Sequence, residues 1–142
     1  MWFSIDILCF KSANIFQPQT VGGNFQKNQR TNKMNLNNVK MNVVETAKNG
    51  VVDQATIFSF AQADSFVTAT YSGGLIRQGY LVGTVHQNKL SFSYCQLQTN
   101  GKMDNGSSEC DISVENGKIK LVEHFIWTSR NGAHGFNIFK EL

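Results

Sequence analysis

Five Asn-Gly dipeptides punctuate the chain, at residues 49–50, 100–101, 105–106, 116–117 and 131–132. The runs between them are short, rich in β-formers and alternating in polarity. Asn and Gly both accept the positive φ that tight hairpin turns require. The segment CDISVENGKIKLV shows the pattern. Cys110, Ile112 and Val114 alternate with Asp111, Ser113 and Glu115; a turn falls at Asn116-Gly117; Ile119 and Leu121 resume the alternation. This predicts a β-hairpin with one wet face.

The same reading places eight strands near residues 39–45, 54–62, 65–71, 75–86, 89–98, 107–115, 118–128 and 135–141. Connections are short and no helical period intervenes, so consecutive hairpins generate an antiparallel meander. Closing that meander into an up-and-down barrel removes its edges. The predicted fold class is therefore all-β, an eight-stranded antiparallel up-and-down meander closed into a barrel. A strongly curled open sheet is the alternative.

The 142 residues suffice for one domain, but they are not uniform. From Gln17 to Asn42, Asn, Gln and Lys dominate and no apolar period is visible, so this stretch buries too little to order itself. Lys11, Lys27, Arg30 and Lys33 against Asp6 account for the whole net charge of +3. Residues 34–142 are balanced, which removes the electrostatic reason to expect a nucleic acid partner. Residues 1–33 are expected to be a disordered or non-native N-terminal extension, with Met34 the natural start of a single β-barrel domain over 34–142. The opening MWFSIDILCF has no basic leader and Asp6 interrupts its apolar run, which argues against a signal peptide. No apolar run is long enough for a transmembrane helix, and no membrane partner is expected.

Cys9, Cys95 and Cys110 make an odd count without a CxxC, so reduced thiols in a cytoplasmic protein are expected. His86, His124 and His134 lack metal-ligand spacing, and neither a metal nor a cofactor is expected.

The stretch YSGGLIRQGYLVGTV, residues 71–85, places glycines at its head and inside it. Ser72-Gly73-Gly74 reads as a turn. Gly79 and Gly83 share parity with Leu75, Leu81 and Val85, the side taken as inward, where glycine lets a strand coil sharply. Parity also puts Leu90, Phe92, Tyr94 and Gln96 on one face, and Ile119, Leu121, Glu123, Phe125 and Trp127 on another. Glu123 is the odd residue among apolar neighbours. A carboxyl there needs a partner or stays protonated. Tyr71, Arg77, Tyr94 and Gln96 are the inward polar candidates, and Phe125 and Trp127 supply apolar walls. The candidate ligand-binding set is thus Tyr71, Arg77, Tyr94, Gln96, Glu123, Phe125 and Trp127. No residue is assigned a catalytic role. A purely structural network around Glu123 is the alternative.

TIFSF (56–60), YSGGLIRQGYLVG (71–83), the spaced NGKI, Leu121, Glu123 and Trp127, and the closing Phe139-Lys140-Glu141-Leu142 carry a family resemblance. Over residues 34–142 the chain resembles small bacterial all-β proteins that automated labels often call N-acetylglutamate synthase. That label implies acetyl-CoA chemistry. The usual pyrophosphate cradle needs Arg/Gln-x-x-Gly-x-Gly/Ala between a strand and a helix. Here Arg77 and Gln78 are followed at the required offset by Tyr80 and Leu81, and a strand pattern continues.

The barrel compares with lipocalins and avidins at the level of fold, and eight strands leave room for side chains or one small ligand. The expected function is a non-enzymatic module binding a small, partly apolar molecule at the barrel end. The alternatives are a structural or interaction barrel with a sealed core, dimeric through Val122 and Ile126, and the labelled acetyltransferase. The expected assembly is a monomer or a homodimer.

Overall fold

The computed structural model describes residues 33–142, so all but Lys33 of the expected extension over residues 1–33 lies outside the described residues. Eight strands follow one another in chain order: β1 Lys40–Thr46, β2 Ile57–Ala63, β3 Phe66–Gly73, β4 Ile76–His86, β5 Lys89–Gln98, β6 Met103–Glu115, β7 Lys118–Trp127 and β8 His134–Glu141. Each pairs antiparallel with its sequence neighbours, and β8 returns to β1, which closes the barrel. No helix of the described residues is long and apolar enough to cross a membrane.

Turn chemistry sets the register. Asn116 and Gly117 both have positive φ, 52° and 76°, and they join the paired Glu115 and Lys118 in a two-residue hairpin of the mirror-image type. Asn131-Gly132 also forms a turn, with φ of 54° and 76°. Asn105-Gly106 does not. It lies inside β6, which begins at Met103 rather than at residue 107, and Asn105 pairs with Cys95 across the sheet. Strand two likewise starts at Ile57 and not at 54, because Asp53–Thr56 close a turn of their own: the Thr56 amide donates to the Asp53 carbonyl at 3.0 Å.

The turn between β3 and β4 is Gly74-Leu75, one step later than Ser72-Gly73-Gly74. Leu75 is therefore an exposed turn residue, and Ile76 takes the buried place expected for it. A register shift between Ile76 and Gln78 then absorbs Arg77 and restores the expected parity from Gly79 onward.

Four glycines inside strands share one arrangement. Gly79 pairs with Tyr71, Gly83 with Phe92, Gly106 with Tyr94 and Gly135 with Phe125, each across a strand boundary. An added Cβ at Gly79 would collide with the Tyr71 ring, and one at Gly135 with the Phe125 ring. Gly79, Gly106 and Gly135 are thus the seats of the Tyr71, Tyr94 and Phe125 side chains. Glycine alone leaves the space, and the ring covers the backbone that glycine exposes. Leu36, Met41, Val67, Leu81, Leu90 and Leu121 complete the core, none more than 2% exposed.

Candidate functional site

One end of the barrel carries most of the buried polarity. Glu123 on β7 is 4% exposed and sits inward because it shares parity with Leu121, Phe125 and Trp127. Both carboxyl oxygens are held. Ser108 Oγ on β6 donates to Oε1 at 2.6 Å, and Asn137 Nδ2 on β8 donates to Oε2 at 2.6 Å. Asn137 Oδ1 in turn accepts from Thr46 Oγ1 at 2.6 Å. Thr46 reaches this face through the bulge in β1 between Val43 and Glu45, which turns its side chain back toward Asn137. Burial pushes the Glu123 carboxyl above the ordinary glutamate range, and the hydrogen bonds from Ser108 and Asn137 oppose that shift.

A second buried pair lies across the barrel. Tyr71 OH on β3 donates to Gln96 Oε1 on β5 at 2.9 Å. Burial raises the Tyr71 phenol well above its ordinary value, so it stays a neutral donor. Its ring stacks on Phe58, with centroids 4.2 Å apart and planes 16° from parallel. The other amide face of Gln96 is different: Nε2 is buried and has no hydrogen-bond partner among the described residues. Trp127 Nε1 on β7 is in the same condition.

These groups surround one cavity. It is lined by Tyr71, Tyr94, Gln96, Glu123, Phe125 and Trp127 together with Phe58, Phe92, Asn137 and Phe139, and roofed by Gly50–Val52 from the β1–β2 connection. Its volume is about 30 Å³, which corresponds to roughly two water molecules. Tyr94 and Phe125 meet the Trp127 ring edge-on, at 5.6 Å and 5.5 Å. Burial also raises the Tyr94 phenol above its usual range. Among the residues that line the cavity, the buried polar atoms left without a partner are both donors: the amide nitrogen of Gln96 and the indole N–H of Trp127.

Behind Trp127 stands a clasp that the strand pattern did not reveal. Asp104 on β6, its side chain 1% exposed, accepts from Arg130 Nε at 3.0 Å and Nη2 at 2.7 Å. Gln98 Nε2 and Ser129 Oγ add bonds of 2.8 Å and 3.1 Å to the same carboxylate. The Arg130 guanidinium lies 4.3 Å from the Trp127 ring centroid. The bonds from Arg130 hold the Asp104 carboxyl below its ordinary pKa. The clasp thus fixes one face of the indole whose edge borders the cavity.

Six of the seven residues expected from the sequence come together here: Tyr71, Tyr94, Gln96, Glu123, Phe125 and Trp127. Arg77 does not. It is exposed and lies at the register shift that follows Ile76, so an ion pair with Glu123 is not formed. Its inward placement followed from counting Leu75 as a strand residue. Ser108, Thr46 and Asn137 were missed. Ser108 shares parity with Cys110, and Asn137 shares parity with Phe139. Asp104 was hidden because the strand was begun too late.

Val114, expected to be inward with Cys110 and Ile112, is 53% exposed at the far end of β6. Cys110 is buried with a raised thiol pKa, and Cys95 is exposed on the outer face. His86, His124 and His134 are exposed, and among the described residues no group of three or more His, Cys, Asp or Glu is placed to hold a metal. Arg77 and Gln78 continue within β4, so no helix N-terminus follows them to cradle a pyrophosphate.

No curated protein and no solved structure matches the chain. The model of the avidin-like protein family matches residues 34–142, the whole of the closed barrel. With its eight antiparallel strands and its aromatic, partly polar barrel end, the chain belongs to the avidin-like protein family.

Proposed function

We propose that the protein is a non-enzymatic module that holds a small molecule in the barrel end, beneath Gly50–Val52. The observation that carries this reading is the pair of buried donors, Gln96 Nε2 and Trp127 Nε1, which belong to residues lining one cavity and have no hydrogen-bond partner among the described residues. A buried N–H without a partner costs about 1–3 kcal/mol. Two on one cavity are a standing demand for an acceptor. Each Glu123 oxygen already accepts one bond from the protein, whereas the two orphaned donors have none, so the polar end of the ligand is first of all an acceptor. A carboxylate ligand would meet Glu123 without a cation beside it, since Arg130 is committed to Asp104. The fitting head group is a neutral carbonyl or similar acceptor on a flat or apolar body that suits the Tyr94, Phe125 and Trp127 walls.

A second reading is a sealed structural barrel, favoured by the small cavity of about 30 Å³. Matched probes separate the two. In a chain carrying Trp2→Phe, Trp127 is the sole tryptophan. Benzamide, benzoate and benzylamine share a ring and differ in the head group. The binding reading predicts that benzamide changes Trp127 fluorescence and raises the melting temperature, and that the two charged probes do neither. A sealed barrel ignores all three, and that result would overturn the proposal.

A further inference from the structure

The tip of the β6–β7 hairpin stands clear of the barrel wall. Pairing of β6 with β5 ends at Asp111, and pairing of β7 with β8 ends at Lys120. Beyond those residues the two strands pair only with each other, from Ile112 and Leu121 out to Glu115 and Lys118. The last tethers to the rest of the barrel are the Ile112 amide, which donates to the Asn88 carbonyl at 2.8 Å, and the Ile119 amide, which donates to Glu141 Oε2 at 2.8 Å. Ser113, Val114, Glu115, Asn116, Gly117 and Lys118 are all exposed. A two-stranded ribbon with no third strand and no covered face is marginal by itself, so this tip opens at far lower cost than the wall.

The tip carries one of the five Asn-Gly dipeptides, and its glycine differs from the other four. An Asn-Gly pair can cyclise, with the glycine nitrogen as nucleophile and the asparagine side-chain carbonyl as electrophile. A nitrogen whose proton is hydrogen-bonded, or which is locked in a sheet, is withheld from that reaction. The Gly50 amide donates to the Ala47 carbonyl at 2.8 Å, Gly101 to Gln98 at 3.0 Å and Gly132 to Trp127 at 2.9 Å. Gly106 is buried within β6, paired with Tyr94 on one side and Trp127 on the other. The Gly117 amide is exposed in its two-residue turn and donates to no described residue.

We infer that Asn116-Gly117 is the chain's modification site for spontaneous deamidation, selected from the five by its free amide and by the open ribbon that carries it. The tip opens, the Asn116 ψ rotates, and a base from solvent takes the Gly117 amide proton. The nitrogen bonds to Asn116 Cγ, the Cγ–Nδ2 bond breaks, and Nδ2 leaves as ammonia with a proton returned from solvent. Water then adds to either carbonyl of the succinimide, and ring opening leaves an aspartyl or an isoaspartyl residue at position 116. One water is consumed and one ammonia released, and nothing is oxidised or reduced. Either product sets a new carboxylate beside Glu115, which already pairs with Lys120 at 2.7 Å. The isoaspartyl form also lengthens the backbone of a turn that needs φ of 52° and 76° at its two residues, so the pairing of Glu115 with Lys118 is lost. Glu123 and Trp127 lie toward the other end of β7, so the cavity is spared.

Peptide mapping by mass spectrometry of the full chain, aged at mildly alkaline pH with and without urea, tests this. Electron-transfer fragmentation separates Asn105 from Asn116, which share one tryptic peptide between Lys102 and Lys118, and tells aspartyl from isoaspartyl. In the folded chain Asn116 is expected to convert at least about tenfold faster than the other four, because only its glycine needs no more than a local opening. In urea all five are expected to convert at comparable rates. Asn116→Asp lacks the leaving amide and is expected to remove the fast phase of ammonia release from the folded chain. Folded protein in which Asn116 is no faster than the others, or stays intact while another converts, would overturn the inference. So would a lead for Asn116 that persists in urea, since the selection would then lie in the neighbouring sequence and not in the fold. None of these readouts involves the cavity, so they stand or fall apart from ligand binding.

Discussion

Glu123 and Asn137 face each other on paired strands β7 and β8 and share a 2.6 Å hydrogen bond in the closed end of the barrel. Asn137 passes the contact on to Thr46 at the end of β1, and the connection that roofs the cavity begins at the next residue. The polar chain Ser108–Glu123–Asn137–Thr46 therefore joins four strands to the roof.

The first prediction follows from the burial of that carboxyl. The folded-state pKa of Glu123 is raised, so its contribution to stability is fully present below the unfolded glutamate value of about 4.3 and is lost as pH rises through the folded value. Glu123→Gln keeps the shape and never ionises, and Asn137 can turn its amide to accept. The variant is expected to be more stable than the parent at pH 8, with the gap closing as pH falls toward 4. Urea denaturation across pH measures it. A variant that is less stable at every pH would contradict this account of the site.

Asp104 has the opposite sign. Its folded pKa is lowered by Arg130, so the stability it contributes is present above the unfolded aspartate value of about 3.9 and is lost as pH falls through the folded value. Arg130→Ala leaves a buried carboxylate with Gln98 and Ser129 as its side-chain partners among the described residues. The expected cost is about 2–4 kcal/mol at pH 7, shrinking below pH 4. Arg130→Ala also uncovers one face of Trp127, so a red shift of its emission is expected. Equal losses at pH 7 and pH 3 would show that the clasp acts through packing alone.

A glycine test examines the aromatic seats. Gly79→Ala places a methyl against the Tyr71 ring, and overpacking of this kind costs about 1–3 kcal/mol. Combining it with Tyr71→Leu, which vacates the space, is expected to recover much of the loss. The double-mutant cycle reads the coupling directly. Additive effects would mean that Gly79 serves strand curvature and not the ring.

The Tyr71–Gln96 pair gives a sharper contrast. Tyr71→Phe leaves Gln96 without any side-chain partner, and about 1–2 kcal/mol is expected to be lost. Tyr71→Phe with Gln96→Met removes the polar atoms of both side chains of this pair, including the orphaned Nε2, and is expected to match or exceed the parent in stability. The same double variant is expected to lose benzamide binding. A double variant that is stable and still binds would remove Gln96 from the site.

The fold was legible because its signals were local. Alternation in β5 and β7 survives unbroken, so Gln96, Glu123, Phe125 and Trp127 are inward as parity requires. What failed were places where one residue breaks the count. Leu75 has a strand-forming side chain but occupies a turn, and Arg77 lies at a register shift, so both residues face outward. Asn105-Gly106 has the composition of a turn, but its glycine is used as the seat of Tyr94. The clasp was beyond reach for another reason. Asp104 and Arg130 are 26 residues apart, and only closure of the strands sets one against the other.

Native mass spectrometry of the full chain purified from its own cells tests the central claim most directly. The account predicts one small, uncharged molecule per chain, released on unfolding, and absent from protein carrying Gln96→Met and Trp127→Phe. A folded chain at its bare mass, with no adduct to lose on unfolding, would contradict it.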